Sequence, residues 1–459
     1  MLSHLIDKPA AAAIEILPLT EDGLAAWLAA APPPFAAWVA ATRFSAKPGT
    51  HCLVPNGDGT LALVLAGVEA ARDVWALAGL SRALPAGDYR LADRVEAATA
   101  EDCAFGWALG AYRFSRYREP REPLARLVWP KGCDRARIQA LVAATGLVRD
   151  LVNTPADDLG PAELAEAASD LAQAHGGECR VTVGEALRAA NYPAVHAVGR
   201  AAARAPRVID LAWGPRDAPK VTLVGKGVCF DSGGLDLKTA TGMRLMKKDM
   251  GGAAHALGLA RAIMGTGMAL RLRVLIPAVE NAVAGNALRP GDVIATRKGL
   301  TLEIGNTDAE GRVILADALA EADAGVPALI LDFATLTGAA RVALGPDLPA
   351  LFTPDDALAG DLLRHAGSEQ DPIWRMPLWT PYRRQLDSRV ADIGNIGDNA
   401  QAGAILAALF LKAFVTETPA WAHLDIMAWN LKPRPGRPVG GEAMGLRAAF
   451  AMLRERFGV

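Results

Sequence analysis

The sequence predicts an α/β protein: a smaller N-terminal α/β domain, then a larger C-terminal domain with a mixed, mostly parallel sheet flanked by helices. Three observations predict it. From about residue 156 onward, short apolar runs alternate with amphipathic stretches, the βαβα pattern of a sheet covered on both faces. The chain has 459 residues, too many for one ordinary core. Two glycine-rich polar clusters follow apolar runs, where α/β proteins place their functional loops.

In chain order, residues 13–17 and 60–66 read as strands, and 24–31 and 100–112 as helices. Asn56-Gly57-Asp58-Gly59 between them reads as a turn. Arg113, Arg116, Arg118, Arg121 and Arg126, interleaved with Tyr117, read as a solvated linker rather than a nucleic-acid patch. Residues 135–152 form a long helix, because Ile138, Leu141, Val142, Leu147, Val148 and Leu151 recur at helical spacing. It stops at Asn153-Thr154-Pro155, where proline and its predecessor resist further helix. The domains are therefore expected at 1–134 and 156–459, with 135–155 connecting them.

In the second domain, 221–224 is a buried strand running into the first cluster, 251–263 an alanine-rich helix and 272–277 a strand. Residues 300–304 form a strand ending at the second cluster, followed by a helix over 313–324. The apolar strand 328–331 leads into Ala334-Thr335-Leu336-Thr337-Gly338. The apolar stretch 402–414 is either a buried helix of the central fold or a surface awaiting another subunit.

Composition narrows the function classes. The chain is 51% hydrophobic and 21% charged with net charge −2, so it offers no basic field for nucleic acid or anionic membrane. Five scattered cysteines without a CxxC pair argue against a disulfide framework or a thiolate zinc site. No apolar run reaches the roughly 20 residues of a spanning helix, and the first residues resemble neither a signal nor a transit peptide. A reducing, cytoplasmic setting is the expectation. Only 11 of the 48 basic residues are lysine, yet five of the 11 lie between 220 and 248. Lysine, unlike arginine, can lose its proton beside a metal or in a dry site.

The first cluster is Gly225-Lys226-Gly227-Val228-Cys229-Phe230-Asp231-Ser232-Gly233-Gly234, followed by Lys238 and Asp249. The second is Asn306-Thr307-Asp308-Ala309-Glu310-Gly311-Arg312. Four converging carboxylates (Asp231, Asp249, Asp308, Glu310) would repel one another, and divalent cations remove that cost. Carboxylate oxygens suit Mg, Mn and Zn. With one residue between them, Asp308 and Glu310 at an extended strand end would face the same side. The helix starting near Arg312 would then aim its free N–H groups at the site. A merely capping role for the two acids is the alternative, weakened by Asn306, Gly311 and Arg312 standing beside them. The residues read as a hydrolytic centre with two metals.

These motifs resemble the leucyl aminopeptidase family. The 306–312 segment is similar to its signature. So are the first cluster, Lys238 and Met246-Lys247-Lys248-Asp249-Met250 to its other metal-binding stretch. The resemblance runs from about 150 to the C-terminus, through Asn153-Thr154-Pro155, Ala334 to Gly338 and Trp421-Ala422-His423-Leu424-Asp425-Ile426. It implies two divalent ions (Zn or Mn, with Mg or Co as options). One would be held by Lys226, Asp231, Asp249 and Glu310, the other by Asp231, Asp308 and Glu310. Lys226 would ligate as a neutral amine and Lys238 would stabilise the oxyanion. Arg312 would hold a bicarbonate, helped by backbone groups of Ala309, Gly311 and Leu336, that accepts a proton from a metal-bridging water.

The resemblance also implies an aminopeptidase acting on short peptides with apolar N-terminal residues such as leucine. Asn306, Met246, Thr335, Leu336, Gly338 and Met427 would contact substrate, in a homohexamer. The N-terminal part resembles the family only weakly. Cys229 stands where the family usually has Thr, Lys248 where it often has Tyr, and Met427 where it has a small residue. Cys229 reads as buried rather than nucleophilic, and His423 as packed rather than ligating, since no paired-His pattern accompanies it. A DNA-binding regulator and an inactive binding module are the competing classes. Near-neutral charge speaks against the first, and the complete set of candidate ligands against the second.

Overall fold

The computed structural model describes residues 1–69, 72–119 and 123–458; Arg121 of the basic stretch lies outside them. The chain forms two compact units, Met1–Gly146 with Lys432–Val439, and Leu147–Leu431 with Gly440–Val459. The division falls inside the long helix read at 135–152, and a short C-terminal stretch is counted with the first unit.

The first unit is a six-stranded sheet of β1 (Leu5–Ile6), β2 (Ile14–Leu19), β3 (His51–Pro55), β4 (Leu61–Gly67), β5 (Asp88–Leu91) and β6 (Arg126–Val128). Their order is β1-β6-β5-β2-β4-β3, with β3 antiparallel to β4 and the other pairs parallel. Its helices are α1 (Glu21–Ala30), α2 (Pro33–Ala41), α3 (Leu80–Ala83) and α4 (Ala97–Gly110). Helix α1 starts where Thr20 accepts from the Gly23 amide at 3.1 Å, with Glu21 and Asp22 in its first turn. Leu17, Val39, Val54 and Leu65 close the core between these layers. The expected strands and helices of this region are present, with ends shifted by a few residues.

Helix α5 (Arg135–Asn153) follows, then α6 (Pro161–Ala174), β7 (Glu178–Val183), α7 (Ala186–Ala189), α8 (Pro193–Gly199), β8 (Arg207–Trp213), β9 (Lys220–Gly225) and β10 (Gly227–Asp231). Next come α9 (Ala240–Met243), α10 (Gly251–Gly265), β11 (Arg271–Asn281), β12 (Val293–Ala295), β13 (Thr301–Glu303), α11 (Glu310–Ala324), β14 (Leu329–Ala334) and α12 (Gly338–Leu344). The chain ends through β15 (Ala350–Phe352), α13 (Asp356–Ser368), β16 (Trp374–Arg375), β17 (Ile393–Gly394), α14 (Gly403–Lys412), β18 (Trp421–Asp425) and α15 (Leu446–Phe457).

The main sheet runs β16-β15-β18-β14-β9-β11-β8-β7, with β10 added to β11. Its centre (β18, β14, β9, β11) is parallel, while β8 and β7 are antiparallel at one edge. Central strands read as unbroken apolar runs because both faces are covered; every residue of β14 is buried. Helices α8, α11 and α14 share one core with Val224, Leu275 and Ile330 of the sheet, and α6, α10 and α15 form a second group. Helix α14 buries Leu406, Leu409, Phe410 and Leu411 in that core. Of the two readings of 402–414, the buried helix is the observed one.

Candidate metal centre

Strands β9, β14 and β18 are mutually parallel and end together at Gly225, Ala334 and Asp425. Strand β10 carries Asp231 out along β11, in register with Asn281. The candidate side chains gather at this carboxyl edge, where parallel sheets leave a crevice. Helix α10 packs so closely behind it that a Cβ on Gly252 would lie 2.0 Å from the Phe333 carbonyl oxygen. Only glycine leaves space for that approach.

One oxygen of each of Asp231, Asp308 and Glu310 lies within 4.8 Å of the others. Lys226 Nζ bridges Asp249 Oδ2 at 2.8 Å and Glu310 Oε1 at 2.9 Å, and donates to the Thr335 carbonyl at 3.3 Å. Lys238 Nζ sits 2.8 Å from Asp231 Oδ2 and also contacts Asp308 Oδ1. Glycine at 311 makes room, since a Cβ there would lie 2.5 Å from Lys226 Cε. Thr335 Oγ1 donates to Asp249 Oδ1 at 2.7 Å.

Charges in this cluster are strongly perturbed. Burial and the Asp231 carboxylate push Glu310 well above the usual carboxylate range. Burial also raises Asp308, which is 33% exposed, with Asp231 adding to it. Asp249 is held low, because Lys226 and Lys248 outweigh its burial. Both Lys226 and Lys238 are raised despite burial, by the carboxylates around them. The buried oxygens Asp249 Oδ2, Asp308 Oδ1 and Glu310 Oε1 accept no hydrogen bond of good geometry. Hard anionic oxygens that converge on one spot, with lysine ammonium groups lodged among them, form a donor set fitted to divalent cations.

Arg312 is buried, donates from Nη1 to the Asn395 carbonyl at 2.7 Å, and is pushed down to about 10 by burial. Its Nε is buried without a hydrogen-bond partner, an orphaned donor that suits an anion. Of the backbone groups expected to help, the Leu336 amide donates to Asp425 Oδ1 at 3.0 Å and the Ala309 amide to the Asn306 carbonyl at 3.3 Å.

The second cluster differs locally from its sequence reading. Asp308 lies in a 3-10 turn, Thr307–Ala309, and Glu310 already opens α11. The cause is Asn306, whose side-chain oxygen accepts from the Asp308 amide at 2.7 Å and curls the chain. Thr307 then ties the clusters together: its amide donates to Asp236 Oδ2 at 2.7 Å and its hydroxyl to the Gly233 carbonyl at 2.7 Å. Asn306 and Thr335 thus stand in direct contact with the carboxylate-bearing segments. Met246 begins the turn that ends in Asp249 and Met250, while Gly338 opens α12 and Met427 follows β18. These three lie on adjoining segments rather than in the carboxylate cluster.

Two supporting residues escape a reading by motif. Asn281 Nδ2 donates to Asp231 Oδ1 at 2.8 Å and to the Thr307 carbonyl at 3.1 Å. Asn395 Oδ1 accepts from the Gly305 amide at 2.8 Å, and its Nδ2 donates to the Asn306 carbonyl at 2.7 Å. Cys229 is buried and its thiol raised by burial. His423 is buried against Asp332, which raises it. Lys248 is buried, and burial pushes its ammonium down to about 8.

Comparison with known proteins bears on this site. The catalytic-domain model of the cytosol aminopeptidase family matches residues 146–450, and the N-terminal-domain model of M17 aminopeptidases matches 14–130. A probable cytosol aminopeptidase of Roseiflexus castenholzii is 42% identical over 368 residues, 76% of this chain and 75% of that protein. One from Syntrophotalea carbinolica is 40% identical over 368 residues, 76% of this chain and 74% of that protein. The crystal structure of the Coxiella burnetii cytosol aminopeptidase superposes with a TM-score of 0.96 at 50% identity, over 99% of this chain and 100% of that one. The bottromycin maturation enzyme BotP in complex with Mn gives 0.87 at 38% identity, over 97% of this chain and 100% of that one.

Proposed function

The chain belongs to the M17 cytosol aminopeptidase family, and we propose that it releases apolar N-terminal residues, leucine among them, from short peptides in the cytoplasm. The observation that carries this reading is the convergence of Asp231, Asp308 and Glu310 within 4.8 Å, with Lys226 and Lys238 lodged among the carboxylates. Lys226, Asp231, Asp249 and Glu310 would hold one divalent ion, and Asp231, Asp308 and Glu310 the other. The Mn in BotP supports manganese as one occupant; zinc is the alternative. When bound, the ions supply Lewis acidity and an acidified water, and a bicarbonate at Arg312 supplies a proton acceptor.

The chain's own groups do the rest. Asp249, fixed by Thr335, accepts from the substrate's free α-amine, so an internal peptide finds no partner there. Beside a bound dication Lys226 would serve as a neutral amine ligand. Lys238, charged throughout, stabilises the oxyanion that develops at the scissile carbonyl. Arg312 anchors the anion with its unpartnered Nε. Met246 and Met427 are unbranched and polarizable, and suit several apolar side chains.

The test is an aminoacyl-nitroanilide panel on chelated protein reloaded with Zn, Mn, Mg or Co. Leucine and methionine derivatives should lead the panel, activity should return only with metal, and an N-acetylated leucine derivative should be inert. Hydrolysis of the acetylated substrate at the rate of the free one would overturn the exopeptidase reading.

A further inference from the structure

At the amino ends of β9 and β11, away from the carboxyl edge that holds the candidate centre, the second unit has a cavity of about 580 Å³. Its walls carry five cations, Arg180, Arg216, Lys220, Arg271 and Arg273, against two acids, Glu178 and Asp210. Both acids are committed to two of these cations. Asp210 takes both forks of Arg273, at 2.9 and 2.7 Å, and Arg273 also reaches Glu321 at 2.6 Å. Glu178 lies 3.5 Å from Arg180. Among the described residues Lys220 Nζ donates only to the Gly325 carbonyl, at 3.1 Å.

The side chains of Arg216 and Arg271 make no hydrogen bond or ion pair to any described residue. Lys220 is held below its usual value by burial and by Arg273 and Arg271. Like charges crowded at the end of a sheet, with their counter-ions already used, are relieved by an anion.

Two free guanidinium forks beside an ammonium match the oxygens of phosphate groups better than a lone carboxylate. The volume falls within the roughly 300–1,000 Å³ of small-molecule sites and exceeds what one orthophosphate fills. Trp213, its Nε1 fixed to the His175 carbonyl at 3.0 Å, and Leu272 give the cavity an apolar wall. We propose that this cavity binds a small phosphorylated molecule with at least two negative charges, held by Arg216, Lys220 and Arg271 against Trp213. Strand β9 separates the two sites: Lys220 opens it and Lys226 follows its end, roughly 20 Å away at 3.3 Å per residue. The two sites therefore share no residue.

Calorimetric titration of the metal-loaded protein with pyrophosphate and, separately, ADP tests this. Both should bind, with affinity falling as salt rises, and binding should quench tryptophan emission in the wild type but not in Trp213→Phe. The double variant Arg216→Glu/Arg271→Glu should keep full peptidase activity, which shows it is folded, and weaken binding at least about tenfold. Arg216→Lys/Arg271→Lys should recover part of the loss. Any chelation of the metals by the probes is common to all variants, so only the difference between them is read. Tighter binding of ADP than pyrophosphate would mark a nucleotide as the ligand, and equal binding a free polyphosphate. Unchanged affinity in the double glutamate variant, or no heat up to about 1 mM of either probe, would overturn the proposal.

Discussion

Lys226 and Lys238 occupy adjacent niches, yet their substitution should have different consequences. Lys226→Ala removes a proposed ligand and leaves buried Asp249 and Glu310 without their ammonium, so metal content by plasma emission should fall with activity. Lys238→Ala should keep both metals while turnover drops by about 10²–10³, the usual cost of losing one oxyanion stabiliser. Equal metal loss in both would mean the roles are misassigned. A pH effect arises elsewhere in the same unit. His255 is enclosed between the Gly251 carbonyl, 2.6 Å from Nδ1, and the Met444 amide, 2.9 Å from Nε2, a setting that holds it neutral. Burial lowers it from 6.5 to about 4. Above pH 6.5 neither state takes a proton there; between 6.5 and 4 only the unfolded chain does, so stability falls as pH falls across that window. The loss should be on the order of 3 kcal/mol, read as the extra drop in urea midpoint between pH 7.5 and 4.5 relative to His255→Gln. Residues of this kind divide by how visible they are in a sequence. Lys226, Asp231, Asp308 and Glu310 stand in contiguous motifs whose chemistry is legible. Asn281 and Asn395 are single asparagines far along the chain, brought to the site by strand register and a loop, and nothing local distinguishes them.

At the level of elements, close packing rather than propensity decides what is tolerated. Gly252→Ala would drive a methyl group into the Phe333 carbonyl and within 2.7 Å of the Lys226 amide. It should cost about 3 kcal/mol or more, since backbone atoms cannot move aside as a side chain does. Gly360→Ala, in α13 with nothing within 4 Å of the new methyl, should instead stabilise by about 0.5–1 kcal/mol. Chemical denaturation of the pair checks both, and a neutral Gly252→Ala would show that α10 can shift. The same distinction governs legibility. Helix α5 follows from hydrophobic spacing, and α10 and β14 from their alanine-rich and unbroken apolar runs. The turn carrying Asp308 does not, because it is set by one side chain, Asn306, competing for a backbone amide. Helix α14, apolar on every side, gave two readings because burial in a core and burial in an interface write the same residues.

For the whole molecule, assembly rests on family membership, because the apolar stretch that would have hinted at it is spent inside the core. We expect a hexamer, whose closed arrangement would admit short peptides and exclude folded proteins. Light scattering at micromolar concentration with metal present should give about six times the 48.0 kDa chain mass; a monomer would refute the hexamer without abolishing activity, since all the proposed ligands come from one chain. The first unit is also discontinuous in sequence. It is assembled from two separated stretches of chain, 1–146 and 432–439, and within it Arg437 lies over the Trp75 ring at 4.9 Å. Gly436 adopts a φ of 70° beside that same ring, with no room for a methyl group. Recombination with a single crossover therefore cannot graft a foreign N-terminal half onto this protein intact: the incoming half must already suit eight residues inherited from the other parent. Exchange of the unit between lineages requires two crossovers, or compensating change in a segment that a gene-level alignment would assign to the other half.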